Sequence, residues 1–105
     1  MKARACSLDD LADACATRVE VSGRPLAIVR IGENVHAFYD ACPHKGAPLS
    51  QGTVSVKRGE LICPWHRFRF DVATGVSVTC ESSRARTFPV EISDGEVFVD
   101  IGPGS

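Results

Sequence analysis

The chain has 105 residues and a formal net charge of −1. This length fits one domain with a modest core, and so small a net charge excludes a strong basic field for nucleic acid binding as the main activity. The first residues, MKARACSLDD, contain no apolar signal segment, and no stretch reaches the ~18 apolar residues that a membrane span requires. We therefore expect a cytoplasmic protein with no nucleic acid partner and no membrane partner.

One short helix is predicted near the start of the chain, in the stretch SLDDLADAC. Ser7 can cap this helix, and Leu8, Leu11, Ala12 and Cys15 would share one face of it. The helix would have one or two turns at most. It is the only helix that the sequence predicts.

Short β-rich runs separated by turn residues make up the rest of the chain. In chain order they are VEV, LAIVRI, VHAFY, LIC, FRFDV, VSV, PVEI and EVFVDI. Asp94 and Gly95 separate the last two runs, and an Asp-Gly pair favours a hairpin with a type I′ turn. Short strands at this spacing predict an all-β fold, a small antiparallel sandwich or barrel in one domain over residues 1–105.

Two segments between predicted strands share an unusual composition. CPHKGAPL contains Cys42 and His44, and CPWHRFRFD contains Cys63 and His66, so the two segments hold two of the three histidines of the chain. Prolines beside these residues restrict the backbone before any metal binds, which reduces the entropy lost on binding. The sequence therefore predicts two metal-binding loops that project from a sheet.

Four ligands in this order allow two kinds of metal site. One is a tetrahedral Cys₂His₂ zinc site in a structural interaction module. The other is a [2Fe–2S] cluster in which cysteines hold one iron and histidines the other. Each loop contributes one Cys and one His, whereas zinc sites usually pair Cys with Cys and His with His, and the mixed usage favours the cluster. The remaining cysteines, Cys6, Cys15 and Cys80, are expected to be structural thiols.

The segments CPHKGAPL and CPWHRFRFDVATG resemble the two cluster-binding loops of Rieske [2Fe–2S] proteins. The resemblance covers most of the chain and implies an antiparallel β fold of three layers, with a cluster-binding subdomain formed by loops at about residues 40–50 and 62–75. It also implies one [2Fe–2S] cluster per chain. Cys42 and Cys63 would bind the inner iron, and His44 and His66 the outer iron.

Four positions in these loops bear on the redox potential. Rieske proteins of respiratory complexes carry a disulfide between the loops and hydroxyl groups that donate hydrogen bonds to the cluster. The resemblance places Ala47 and Trp65 at the disulfide positions, and Phe68 and Phe70 at the hydroxyl positions. We therefore expect a potential in the lower part of the range of about −150 to +300 mV that such centres span.

Arg67 stands where many Rieske loops have glycine, and a positive φ at this residue would cost about 1–2 kcal/mol. A second hypothesis concerns charge: Arg67 and Arg69 form a basic rim that docks acidic partner surfaces. The alternative is that both are solvated surface charges.

The resemblance implies a monomeric one-electron carrier of aromatic hydrocarbon catabolism and not an enzyme. Electrons would pass from a flavin-dependent, NAD(P)H-oxidising ferredoxin reductase to a terminal ring-hydroxylating oxygenase. His36 alone cannot complete a 2-His-1-carboxylate iron site, and no Gly-rich dinucleotide fingerprint occurs in the sequence. The alternative is a Rieske-like small subunit of a larger oxidoreductase, such as an assimilatory nitrite reductase.

Overall fold

Ten strands in three antiparallel sheets form the protein in the computed structural model, which describes residues 2–43, 46–65, 67–79 and 83–101. The strands in chain order are β1 (Lys2–Ser7), β2 (Cys15–Val21), β3 (Arg24–Ile31), β4 (Asn34–Tyr39), β5 (Thr53–Ser55), β6 (Glu60–Ile62), β7 (Arg69–Asp71), β8 (Thr87–Phe88), β9 (Val90–Ser93) and β10 (Glu96–Asp100). The first sheet has the order β1-β10-β9, the second β2-β3-β4-β8 and the third β5-β6-β7. The predicted all-β antiparallel fold is confirmed.

Strand β3 explains why the second sheet lies in the middle of the molecule. Leu26 and Ile28 point into a first core with residues of β10, while Ala27 and Val29 point into a second core with residues of β6 and β7. All four side chains are fully buried. A strand that is buried on both faces has no polar alternation, and this accounts for the continuous apolar run LAIV.

Two hairpins have turns of type I′, the type that the Asp-Gly pair predicted. Asp94 and Gly95 have φ of 52° and 75° between β9 and β10. Ser22 and Gly23 have φ of 51° and 78° between β2 and β3. Positive φ at both central residues is typical of the type I′ turn, whose twist matches that of the flanking strands.

The predicted helix at SLDDLADAC is mostly wrong. Only Leu8–Asp10 form a single 3₁₀ turn, and the chain becomes extended at Leu11, where φ is −99° and ψ is 122°. Leu11 is buried in the first core, whereas Cys15 begins β2 and is exposed. Leu8 also packs against this core, so the two leucines hold the turn without a helical face.

The remaining differences concern short strands. The sequence did not predict β1, β5 or β8, and the run VSV forms isolated bridges at Val76 and Ser77 in place of a strand. No helix in the described ranges is long and apolar enough to cross a membrane.

Candidate metal centre

The two cysteines of the predicted site lie at strand ends that face the second core. Cys42 follows β4 after a short turn, and Cys63 directly follows β6. Both are buried, with exposed fractions of 2% and 0%, and both belong to the second core. His44 and His66 lie outside the described residues. The structure thus places both predicted thiol ligands in one apolar cluster.

The backbone around the two cysteines follows one hydrogen-bonding pattern. The Cys42 carbonyl accepts a 2.8 Å bond from the N–H of Gly46, and the Cys42 N–H donates a 2.8 Å bond to the carbonyl of Ala47. In the second loop the Cys63 carbonyl accepts from the N–H of Arg67 at 3.0 Å, and the Cys63 N–H donates to the Phe68 carbonyl at 2.8 Å.

In both loops, therefore, the residues four and five positions after the cysteine close a turn on its backbone. Each turn holds its cysteine at the inner end, next to the core. A thiolate needs such a fixed, buried position to ligate a metal without a large loss of entropy. The two thiols and their local backbone fit a cluster that the two loops share.

Gly46 and Arg67 occupy the same place in the two turns and have the same backbone conformation. Their φ angles are 73° and 55°, in the left-handed region. Glycine adopts this region without a steric penalty, whereas a residue with a Cβ pays about 1–2 kcal/mol. The sequence predicted backbone strain at Arg67 if its φ were positive, and φ is positive, so the strain is present.

Replacing Arg67 with glycine is expected to stabilise the protein by about 1 kcal/mol, because the removal of the left-handed penalty outweighs the chain entropy that glycine adds to the unfolded state. The free energy of unfolding from denaturant titration measures this gain.

Two variants control for the position of this change. Gly46→Ala should cost about the same amount, because φ is positive there and no atom lies within 4 Å of the added Cβ among the described residues. Ser22→Gly, at φ 51° in the β2–β3 turn, should stabilise the scaffold without affecting the loops. A loss of stability in Arg67→Gly would mean that the arginine side chain makes contacts worth more than the strain.

The walls of the site are apolar. Ala47 and Phe70 are fully buried in the second core with the two cysteines, and the half-buried Phe68 packs against them. Trp65 is 60% exposed, beside the exposed Pro64. The side chains at positions 47, 65, 68 and 70 carry neither a thiol nor a hydroxyl.

The two arginines of the predicted basic rim differ in their surroundings. Arg67 is exposed, whereas Arg69 on β7 is half-buried and lies 3.6 Å from the carboxylate of Glu60. Glu60 is buried, and its Oε1 atom has no hydrogen-bond partner among the described residues, so Arg69 is the cation that compensates this charge. Of the two, Arg67 is the one whose charge faces solvent.

A polar cluster that the sequence did not predict borders the first loop. The carboxylate of Asp40, whose side chain is completely buried, accepts hydrogen bonds from the N–H and the hydroxyl of Ser50, both at 2.7 Å. Arg18 donates a third bond to Asp40 at 3.1 Å. The available sequence signals were an Asp two residues before a predicted ligand cysteine and a Ser at the end of the loop.

The structure agrees with the predicted roles of Cys6 and His36 but not with that of Cys15. Cys6 is buried, and burial raises the pKa of its thiol, as expected of an unreactive structural residue. Cys15 is exposed, so its predicted structural role lacks the expected burial, and Cys80 lies outside the described residues. His36 lies on β4, where burial lowers its pKa, and is a strand residue as predicted.

Comparison with known protein families identifies the class. The Rieske [2Fe–2S] domain family matches residues 1–89. The chain therefore belongs to the Rieske [2Fe–2S] family, and its cofactor is a [2Fe–2S] cluster. The turns at the two cysteines and the apolar residues around them are consistent with this family assignment.

Individual relatives are similar over nearly the whole chain. The ferredoxin component of the p-cumate 2,3-dioxygenase system of Pseudomonas putida is 38% identical over 92% of this chain and 83% of its own. The solved ferredoxin of carbazole 1,9a-dioxygenase from Nocardioides aromaticivorans IC177 is 32% identical with a TM-score of 0.86, and covers 94% of this chain and 96% of its own. These relatives are electron-transfer components, and this chain is an electron carrier and not itself an enzyme.

A third solved structure bears on the alternative function. A protein described as the small subunit of an NADPH nitrite reductase is 27% identical with a TM-score of 0.84, over 94% of this chain and 97% of its own. The fold is therefore common to carriers and to subunits of larger enzymes.

Proposed function

We propose that this protein is the ferredoxin component of a ring-hydroxylating dioxygenase system of aromatic hydrocarbon catabolism. It would take one electron at a time from a flavin-dependent NAD(P)H ferredoxin reductase and deliver it to a terminal oxygenase. The observation that carries this proposal is the similarity, over nearly the whole of both chains, to ferredoxin components of such systems. The cytoplasm, where NAD(P)H is available, is the proposed location, and the monomer is the proposed state.

The proposed ligands are Cys42 and Cys63 for one iron and His44 and His66 for the other. When bound, the [2Fe–2S] cluster supplies a site that accepts and releases one electron, and the two neutral imidazoles make that site easier to reduce than four thiolates would. The chain's own residues have two tasks. The buried cysteines keep water from one side of the site, and the turn at each cysteine fixes the thiolate.

A solved complex supports the oxygenase as a partner. It contains reduced oxygenase and oxidised ferredoxin of carbazole 1,9a-dioxygenase, and the matched chain is 33% identical to this one with a TM-score of 0.82, over 93% of this chain and 91% of its own. We extend that pairing to this chain. The whole of residues 1–105 would then act as one Rieske domain, with loops at about 40–50 and 62–75 at the partner-facing end.

The second candidate is the small subunit of a nitrite reductase, which the similarity to a solved small subunit favours. The two functions differ in how long the complex lasts. A carrier forms transient complexes and is reduced reversibly by a flavoprotein, whereas a subunit co-purifies stably with a large siroheme protein. Purification from the native host at low salt, followed by size-exclusion chromatography, separates these cases.

Low-temperature EPR of the dithionite-reduced protein tests the proposed function, together with iron and zinc analysis of the same sample. We expect a rhombic signal with a low average g value and two irons per chain, as the [2Fe–2S] assignment requires. An EPR-silent protein with one zinc would make the loops a structural clamp in an interaction module and would end the electron-transfer proposal.

The midpoint potential is expected in the lower part of the range of about −150 to +300 mV. Phe68 and Phe70 offer no hydroxyl to the site, and hydrogen bonds to cluster sulfurs raise the potential. Phe70→Tyr should therefore raise the potential in a redox titration, since Phe70 is buried in the core that contains both cysteines. Phe98→Tyr on β10 is the matched control and should leave the potential unchanged. A wild-type potential near the top of the range would contradict the prediction.

Trp65 is expected to contribute to docking, because it is the most exposed of the large apolar side chains described and directly precedes the ligand His66. Exposed Trp residues at interface centres are frequent hot spots, so Trp65→Ala should weaken binding to the oxygenase about tenfold or more. Isothermal titration calorimetry measures the effect.

Ile92→Ala is the matched control for Trp65, because Ile92 is 39% exposed on β9, in the first sheet. It should leave the affinity unchanged. Equal losses in both variants would mean that Trp65 has no particular part in docking.

A further inference from the structure

The buried carboxylate of Asp40 joins the middle sheet to the segment after the first loop. Asp40 follows β4, and its N–H donates a 3.0 Å bond to the carbonyl of Pro25 on β3. Its side chain accepts two 2.7 Å bonds from Ser50, in the 3₁₀ turn Leu49–Gln51, and one 3.1 Å bond from Arg18 on β2. Both ends of the first loop, residues 40 and 50, therefore meet at one carboxylate.

The two loops differ in how their ends are held. In the second loop, residues 63–68 connect β6 to β7, and these strands pair with each other from Glu60 opposite Asp71 to Ile62 opposite Arg69. The first loop connects β4 to β5, which belong to different sheets. No strand ladder can therefore close the first loop. The Asp40–Ser50 hydrogen bonds join the ends of the first loop, as the β6–β7 pairing joins the two sides of the second.

The pair of Asp40 and Arg18 also places opposite charges at different depths. The Asp40 side chain is completely buried, whereas that of Arg18 is 52% exposed. Asp40 is two residues from Cys42, so its charge acts on the site through protein and less through water. A negative charge there makes the addition of an electron harder, and the positive charge of Arg18 offsets part of this effect.

We propose that Asp40 is a positioning residue that fixes the first loop through Ser50, and that the Asp40–Arg18 pair sets part of the redox potential of the site. This rests on the ligand set of the proposed function. It adds to that function a residue outside the proposed ligand set that controls both the retention of the cluster and the energy of its electron.

Redox titration of three variants tests the electrostatic part. Asp40→Asn removes the negative charge and should raise the midpoint potential. Arg18→Gln removes the compensating positive charge and should lower it. The double variant Arg18→Gln/Asp40→Asn should return toward the wild-type value, because the two changes oppose each other. If Asp40 and Arg18 affected only stability, the midpoint potential would not rise in one single variant, fall in the other and return in the double variant.

Iron release to a chelator tests the positioning part. In the wild type, donors on Ser50 and Arg18 bond to both carboxylate oxygens of Asp40. The side-chain amide of the Asp40→Asn variant has only one acceptor oxygen, so this variant should lose iron about tenfold faster. Ser50→Ala removes the 2.7 Å hydroxyl bond and keeps the charge. It should also release iron faster, with a smaller change in potential, and it serves where Asp40→Asn does not fold.

The matched control is Asp13→Asn. The Asp13 carboxylate accepts an equally short bond, 2.7 Å, from the N–H of Gly32 at the opposite end of β4. This variant should change neither potential nor iron release. Unchanged potentials and release rates in the Asp40 and Arg18 variants of a wild type that shows the cluster signal would overturn only the role of Asp40. A wild type without two irons would overturn the ligand set as well.

Discussion

Serine in place of Cys63 is expected to reduce the iron content of the purified protein from two atoms per chain, as a [2Fe–2S] domain holds, to near zero. A serine hydroxyl remains protonated at neutral pH, so it replaces a thiolate poorly as an iron ligand. Cys63 is fully buried and its backbone closes the second turn, so the serine would occupy the same fixed position. Iron analysis and the visible absorbance of the cluster measure the loss.

Cys15→Ser is the matched control for this change. Cys15 has an exposed free thiol at the start of β2, outside both loops. The variant should retain two irons and the EPR signal of the wild type. Full iron content in Cys63→Ser would contradict the proposed ligand set.

Alanine at Gly52 is expected to destabilise the protein by about 3 kcal/mol, at the upper end of the usual cost of overpacking. A Cβ on Gly52 would overlap the carbonyl oxygen of Ile62 and lie 3.1 Å from that of Leu49. Both are backbone atoms, and the Ile62 carbonyl cannot move without disturbing the β5–β6 pairing, in which Ile62 lies opposite Thr53. Denaturant unfolding measures the loss, and iron content should fall as well because Ile62 precedes Cys63.

Gly59→Ala separates this clash from ordinary glycine effects. Gly59 lies in the turn between β5 and β6, has φ of 64°, and has no described atom within 4 Å of an added Cβ. It should cost about 1–2 kcal/mol through its backbone conformation alone. Equal costs at Gly52 and Gly59 would mean that the β5–β6 hairpin shifts easily.

Much of the fold follows from local sequence patterns. The apolar run in β3 and the Asp94-Gly95 turn predicted their elements, because burial on two faces and a type I′ turn each demand particular residue types. The Cys/His loops predicted a metal centre because metal ligation also demands particular residue types. The family comparison then confirmed the cluster over the zinc alternative.

The elements that the sequence did not predict depend on contacts far along the chain. Strand β1, KARACS, contains no β-branched or aromatic residue, and it is a strand because it pairs with β10. Strands β5 and β8 have three and two residues, too few for a periodic pattern. Asp40 and Ser50 were equally hidden, since each is a common residue whose role arises only when the loop brings the two together.

The division of the interior into two cores has a consequence for biogenesis. The first core, between the β1-β10-β9 sheet and the middle sheet, contains neither Cys42 nor Cys63. Both thiols lie in the second core. We therefore expect loss of the cluster to loosen the second core more than the first, so that the first core would serve as the folded platform on which the cluster is inserted.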